Sequence, residues 1–389
     1  MGPSRSHSLQ IPKLTAIILV EDRHLKSSPM FGPFTMGSVK KVLLAFSSLL
    51  IFAQFATAEL PHTQVHKSDS FLIKKWSTEN GIPQNTVTSI VQTRDGYIWI
   101  GTFGGLARFD GVRFTVFDSA TSPTLNSSRI LSLFEDSHGT LWIGAETGEV
   151  YTLRNMKFEV VGSAPDFKRL TVWGFEQDAA GNLLIASDSG VEKLTLDNSG
   201  TVVPDSIQVL SRERSYGICK DPSGTVWVKV RGQYAAIESD GFAPAASKGI
   251  QLPKGIIRMS FADDGRAFSG SFDSLGLSEN GNYYELMPLV PWMHQSFYSL
   301  AAKDGTFWFQ QADELVEIRE GQLIHHDLKG YVTGGSRAML FDDEGNIWIA
   351  TQSDGLVRLT RRSVELVSDL TDMEIAGINS IAEDKDGSV

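Results

Sequence analysis

A short signature returns through most of this chain at a nearly constant interval, and no other feature restricts the fold as tightly. Arg94-Asp95-Gly96-Tyr97-Ile98-Trp99-Ile100-Gly101-Thr102 is answered by Ser137-His138-Gly139-Thr140-Leu141-Trp142-Ile143-Gly144-Ala145. Weaker copies open at Gly181, Gly224, Gly265, Gly305 and Gly345, and an eighth opens at Asp386-Gly387 and stops at Val389. Successive glycines stand 43, 42, 43, 41, 40, 40 and 42 residues apart. That spacing fits one four-stranded propeller blade rather than a helical repeat, whose periodicity is missing from 71–389.

Each unit also reads as strands from its own chemistry. An apolar run such as Val87 to Val91, Ile130 to Phe134 or Ala338 to Phe341 leads into a polar turn ending in the glycine. There a left-handed backbone reverses the chain. The strand that follows, Ile98-Trp99-Ile100 in the first unit, is apolar at consecutive positions, as a strand covered on both faces must be. Trp99, Trp142, Trp227, Trp308 and Trp348 share one register, with Leu184 and Phe268 in that place in two weaker units. Gly105 to Phe109 then gives a third strand, and Asp110-Gly111 turns it into an outer strand, Val112 to Phe117.

Seven units reaching about Val367 predict an all-β, seven-bladed β-propeller of four-stranded antiparallel blades over 71–367. Phe71 to Trp76, ahead of the first inner strand, has the character of an outer strand and is expected to complete the last blade. Residues 368–389 then read as the truncated start of a second propeller, which makes the chain a fragment.

The N-terminal region reads as a targeting device. Lys40 and Lys41 precede an apolar stretch from Val42 to Phe55, and Ala56-Thr57-Ala58 forms a small-x-small cleavage signature. Residues 36–58 are therefore expected to be a cleaved signal peptide, 1–35 a mis-assigned disordered extension upstream of the true start Met36, and 59–70 a linker. The apolar run is short for an uncleaved membrane anchor, which needs about 20 residues. Removing 1–58 takes away six basic and two acidic residues from 35 and 46, leaving 29 against 44, a net −15. That acidity, with no basic stripe, argues against nucleic acid as a partner. A single cysteine, Cys219, rules out an internal disulfide framework and reads as an inert core residue.

Trp76 to Phe114, WSTENGIPQNTVTSIVQTRDGYIWIGTFGGLARFDGVRF, resembles the two-component regulator propeller family, and the resemblance extends over 71–389, weakest between 225 and 320. It implies an exported sensor of two propellers, an immunoglobulin-like spacer, one transmembrane helix and a cytoplasmic output domain. The output is most often a histidine kinase and in other members a diguanylate cyclase or phosphatase. It further implies the periplasmic face of an inner-membrane protein, a homodimer, and an extracytoplasmic small-molecule or carbohydrate ligand. The sequence holds no phosphoacceptor helix, nucleotide lid or Gly-Gly-Asp-Glu-Phe motif, so no catalytic residue and no cofactor are expected. A secreted propeller enzyme and a plain interaction scaffold remain rival readings.

Candidate sites are few. His325 and His326 are adjacent on a strand, so they point to opposite faces and do not share a metal; a solvated outer strand is expected. Asp384 to Gly387 lacks the later ligands of a calcium loop and reads as a hairpin turn. Asn126-Ser127-Ser128 is a formal glycosylation site. Seven residues before each glycine stand Ser89, Ser132, Gly174, Gly217, Arg258, Tyr298, Ala338 and Ser380. Arg258 and Tyr298 break this small-residue column in adjacent units. One reading makes them a guanidinium–phenol ligand site for an anion or sugar hydroxyls. The other makes them the product of a shifted register or a wide, watery channel. Loops after the Trp strands, with Phe103, Glu146, Asp188, Gln352 and Asp354, are expected to gather on one rim.

Overall fold

The computed structural model describes residues 64–66, 70–239, 241–272, 274–288, 298–302, 304–311, 313–319 and 322–362. The expected signal peptide, its upstream extension and the eighth unit lie outside them. Strands dominate; helical structure among the described residues is confined to short 3-10 turns, Thr78–Asn80 and Ala245–Lys248 among them. No helix there is long and apolar enough to cross a membrane.

The strands form seven sheets, each one blade, and the four strands that make up each blade run antiparallel. Blade 1 consists of Val87–Gln92, Ile98–Thr102, Gly105–Phe109 and Phe114–Phe117 in that order. Blades 2 to 6 repeat it with inner strands Ile130–Glu135, Val172–Gln177, Ile218–Lys220, Ile256–Phe261 and Ser299–Ala301. Blade 7 takes three strands from the C-terminal side, Ser336–Phe341, Ile347–Thr351 and Leu356–Arg361, and its outer strand from the N-terminal side, Phe71–Trp76. The register runs from Phe71 opposite Arg361 to Trp76 opposite Leu356. The first strand of the ring thus fastens the last blade. Inner strands touch in turn around the ring, blade 7 against blade 1 included.

The core is divided as the ring requires, with one apolar cluster between each pair of neighbouring blades. Trp142 faces forward against Val172, Phe175 and Ile185 of blade 3, while Ile143 of the same strand faces back against Trp99 and Leu106 of blade 1. Burial on both faces is why this strand is apolar at consecutive positions. Every residue of the tryptophan column is buried, Leu184 and Phe268 among them. A buried indole removes about 200 Å² from water, worth roughly 5 kcal/mol, so packing between blades carries most of the stability.

Polar groups fix the indole's orientation. Asp136 accepts from the backbone N–H of His138 (2.8 Å) and Thr140 (3.0 Å) and from Trp142 Nε1 (2.8 Å). Asp221 and Asp342 hold Trp227 and Trp348 in the same way, at 2.9 and 2.7 Å. The reversing glycines Gly96, Gly139, Gly181, Gly224, Gly265, Gly305 and Gly345 all have φ between 78° and 87°, in the left-handed region. At the closure, Trp76 stacks on Trp348 with centroids 5.3 Å apart, and Lys75 Nζ lies 3.0 Å from Asp354.

Two expectations need correction. The segment expected as a linker carries a strand, Gln64–His66, which pairs in parallel with Gln322–Asp327 and gives blade 6 a fifth strand. The outer strand with His325 and His326 is not solvated either, because one of its faces packs against Phe71 of blade 7. His326 is 4% exposed, stacked on Trp308, with Nε2 3.3 Å from Glu317, whereas His325 Nδ1 lies 3.0 Å from Glu314. The two rings do leave opposite faces of the strand, as adjacent strand residues must.

Candidate functional site

The two ends of the ring differ in how they are finished. At the end carrying the reversing glycines, neighbouring turns are stitched together. Arg94 donates to the carbonyls of Asp136 (2.6 Å) and Ser137 (3.0 Å), Ser137 N donates to Gln177 (2.9 Å), and Arg266 donates to Gly305 O (2.7 Å). At the other end, where inner strands begin and Trp strands finish, a cavity of about 700 Å³ opens among blades 1 to 7.

A repeated irregularity builds that mouth. Inner strands of blades 1, 2, 3, 5 and 7 each skip one residue in their pairing with the Trp strand. Such a bulge re-aims a side chain. In four of them the skipped residue, Thr88, Leu131, Trp173 or Arg337, lines the mouth. The small column one place later packs between neighbours: Ser132 Oγ donates to Val172 O of the next blade at 3.1 Å, and a Cβ on the opposing Gly144 would approach Val172 Cγ1 to 2.6 Å.

Arg258 and Tyr298 both line this mouth. Arg258 pairs with Gly270, five residues after its glycine, as Ser89 pairs with Gly101 and Ser132 with Gly144. Gln310 N reaches Tyr298 O in the corresponding place at 3.3 Å. The register is therefore unshifted, and the two long side chains replace small ones in a regular pattern. In blade 5 the skipped Ile257 turns into the core between blades 5 and 6. Arg258 Nη2 donates to Tyr298 Oη, and its guanidinium carbon lies 3.5 Å from the ring centroid.

Four further cations lie at this end of the ring. Lys229, on the Trp strand of blade 4, is 2% exposed, with Nζ 4.1 Å from the centre of the Tyr216 ring. Burial, and then the positive charge of Arg258, push its amine down to about 8. Arg337 lies over Phe103 at 5.3 Å, its Nε is buried without a hydrogen-bond partner, and burial holds its guanidinium below the usual range. Arg214 is held by Asp188 at 2.6 Å, and Asp188 also accepts from Trp173 Nε1 at 2.6 Å. Arg129 is likewise committed to Glu146, with Nη2–Oε1 at 3.1 Å. Among the described residues no carboxylate comes within ion-pair distance of Lys229, Arg258 or Arg337.

The expected rim residues fall at this end: Phe103 beneath Arg129 and Arg337, Glu146 on Arg129, Asp188 on Arg214, and Gln352 in the mouth. Asp354 sits further out, on Lys75 and Thr333. Sequence reasoning missed Lys229, Arg337, Trp173 and Tyr216. The signal was one column away, eight residues before each glycine, where Thr88, Leu131, Trp173, Tyr216 and Arg337 recur.

Other features do not compete. Of the four carboxylates that line a groove of about 780 Å³ between blades 4 and 5, Asp221 is held by Trp227 and Asp264 by Arg266, and Asp263 and Glu279 face no cation in it other than Lys248 and Arg266, which are paired with Glu238 and Asp264. No group of three potential metal ligands occurs among the described residues. Cys219 packs beside Trp227, with its thiol pushed up by burial. The mouth is thus a cationic, aromatic-walled recess suited to holding an anion.

Residues 81–104 and 124–147 match the family model described as two component regulator propeller, so the chain carries repeats of that family. No curated protein matches the chain. Among solved structures, it is similar to the extracellular domains of two hybrid two component systems from B. thetaiotaomicron. One has 17% identity, a TM-score of 0.57 and coverage of 75% of this chain and 42% of that one. The other has 16% identity, a TM-score of 0.59 and coverage of 78% and 44%. The chain therefore spans less than half of those domains. Virginiamycin B lyase from Staphylococcus aureus is similar at 13% identity and a TM-score of 0.59, over 75% of this chain and 100% of the lyase. At these identities the likeness is one of fold.

Proposed function

We propose that this propeller, a carrier of two component regulator propeller repeats, is the extracytoplasmic ligand-sensing region of a transmembrane signalling protein whose output is a histidine kinase. The family match at 81–104 and 124–147 is the observation that carries this reading. The signal-like segment 36–58 and the acidic, single-cysteine composition agree with export. Ligand sensing suits a rigid ring open at one end, where side chains from several blades converge on one cavity. A ligand held there shifts the signalling equilibrium by the difference in its affinity for the two states, and a homodimer supplies the two-state element.

Topology fusions test the reading. Alkaline phosphatase joined after Arg362 should be active in a Gram-negative host, and β-galactosidase at the same point inactive. The opposite pattern would place the propeller in the cytoplasm and end the sensor assignment. ATP-dependent autophosphorylation of the full-length protein should identify the kinase; nucleotide cyclisation instead would replace it with a diguanylate cyclase.

A further inference from the structure

The cationic groups at the axial mouth are more numerous than their neighbours can neutralise. Arg129 and Arg214, toward the outside, each have a carboxylate, Glu146 and Asp188. Lys229, Arg258 and Arg337, deeper in, have only aromatic faces and the Tyr298 hydroxyl among the described residues. Buried charge without a counter-ion costs free energy, and a fold under no other demand replaces it with apolar side chains. Nothing in the blade repeat calls for it either: Gly101 and Gly144 occupy the place of Lys229 in blades 1 and 2, five residues after the turn glycine.

The groups also adjoin one another. Arg258 lies close enough to Lys229 to depress its amine, Arg258 donates to Tyr298, and Tyr298 is near enough to Arg337 to act on its guanidinium. Two hydrogen-bonding atoms beside them, Arg337 Nε and Ser336 Oγ, are buried without a partner. On the facing wall Trp173 and Tyr216 are each 37% exposed, an apolar surface at the entrance.

We propose that the axial mouth binds a small organic molecule bearing two or more oxyanion groups, one on Arg258, whose positive charge Lys229 reinforces from behind the Tyr216 ring, and another on Arg337. Its carbon frame rests against Trp173 and Tyr216. Carboxylates, sulfates and phosphates share the required chemistry, since each accepts the forked donation of a guanidinium. A cavity of about 700 Å³ has room for such a ligand. This deepens the sensor reading and rests on it only for its biological meaning, because binding is measured on the purified chain wherever that chain resides.

The test titrates the purified full chain calorimetrically at low salt with tricarballylate, inorganic sulfate, inorganic phosphate and, as a neutral control, sucrose. The tricarboxylate should saturate one site with a dissociation constant under about 1 mM and weaken as salt is raised. Arg258→Gln and Arg337→Gln should each weaken it at least about tenfold, the effect of losing a charge-assisted hydrogen bond. Arg214→Gln, already neutralised by Asp188, should change it less than about threefold. Thermal melts of each variant report folding independently. Preference for sulfate or phosphate over the tricarboxylate would keep the site and change the oxyanion. No binding by any anion, equal binding of sucrose, or tight binding that survives both Arg258→Gln and Arg337→Gln would overturn the proposal. None of these results moves the phosphatase fusion, so failure of the site and failure of the sensor reading are told apart.

Discussion

Replacing Lys229 with Met should stabilise the propeller at neutral pH, by an amount that disappears in alkali. The amine is buried beside Arg258 and titrates at about 8 instead of 10.5, a difference of about 2.5 pH units. At about 1.4 kcal/mol per unit, holding it charged costs about 3 kcal/mol. The sign follows from proton counting: between pH 8 and 10.5 the unfolded chain retains a proton that the folded chain has released, so wild-type stability rises with pH through that window. Below about pH 8 both states are protonated and the whole cost is present. Methionine has similar length and no charge, so Lys229→Met should exceed wild type by about 3 kcal/mol at pH 7 and by almost nothing at pH 10.5. Urea unfolding followed by tryptophan fluorescence, for both proteins at pH 7, 9 and 10.5, measures the difference and cancels other titrations. A gap that stays constant across this range, or a variant less stable than wild type at pH 7, would refute the reasoning. The same substitution should weaken tricarboxylate binding, a gain in stability at the expense of the site.

Asp136→Ala should cost about 3–5 kcal/mol, because it strands the Trp142 indole N–H and two backbone donors at a buried turn. Urea midpoints should show Trp142→Phe to be milder than this in polar terms, and a loss below about 1 kcal/mol for Asp136→Ala would mean the clamp is dispensable. Gly355→Ala should destabilise more than Gly111→Ala. Both have φ near +90°, but only at Gly355 would a Cβ meet Trp76 O of the closing strand, at 2.0 Å. Gly111 should cost about 1 kcal/mol, the left-handed backbone alone, and equal melting shifts for the two would deny that the closing strand presses on Gly355.

Blade number, strand order and closure were readable because they rest on burial. A strand sandwiched between two sheets has no polar face, so Ile98-Trp99-Ile100 and its copies stand out in any register. Phe71 to Trp76 was readable as a closing strand from its place before the first inner strand. What stayed hidden depends on geometry that composition does not encode. The bulges that turn Trp173 and Arg337 into the mouth arise from one skipped pairing, which sequence periodicity cannot register. Arg258 and Tyr298 stood out only because they interrupt a column of small residues. Lys229 falls within an apolar strand, VWVKV, and its surroundings depend on Gly217 directly opposite on the inner strand, where a Cβ would collide with the Tyr234 hydroxyl. Asp136 and its counterparts passed as ordinary turn residues, although their spacing of six to the tryptophan was visible. His326 reads as an outer-strand residue in the sequence, yet its ring packs against Trp308 and against Phe71 of the next blade, a contact between blades that the strand's own pattern does not show.

The ring closed by its own N-terminal strand is the premise beneath the mouth, the sensor reading and the ligand. A disulfide trap tests it most directly. Leu72 and Thr360 are paired across the closing ladder and lie toward solvent, so their α-carbons fall within disulfide reach. Leu72→Cys/Thr360→Cys should oxidise quickly to an intramolecular cross-link that shifts the chain on a non-reducing gel, as fast as Arg108→Cys/Thr115→Cys within blade 1. A blade 1 pair that cross-links while the closing pair remains reduced would contradict the closed ring.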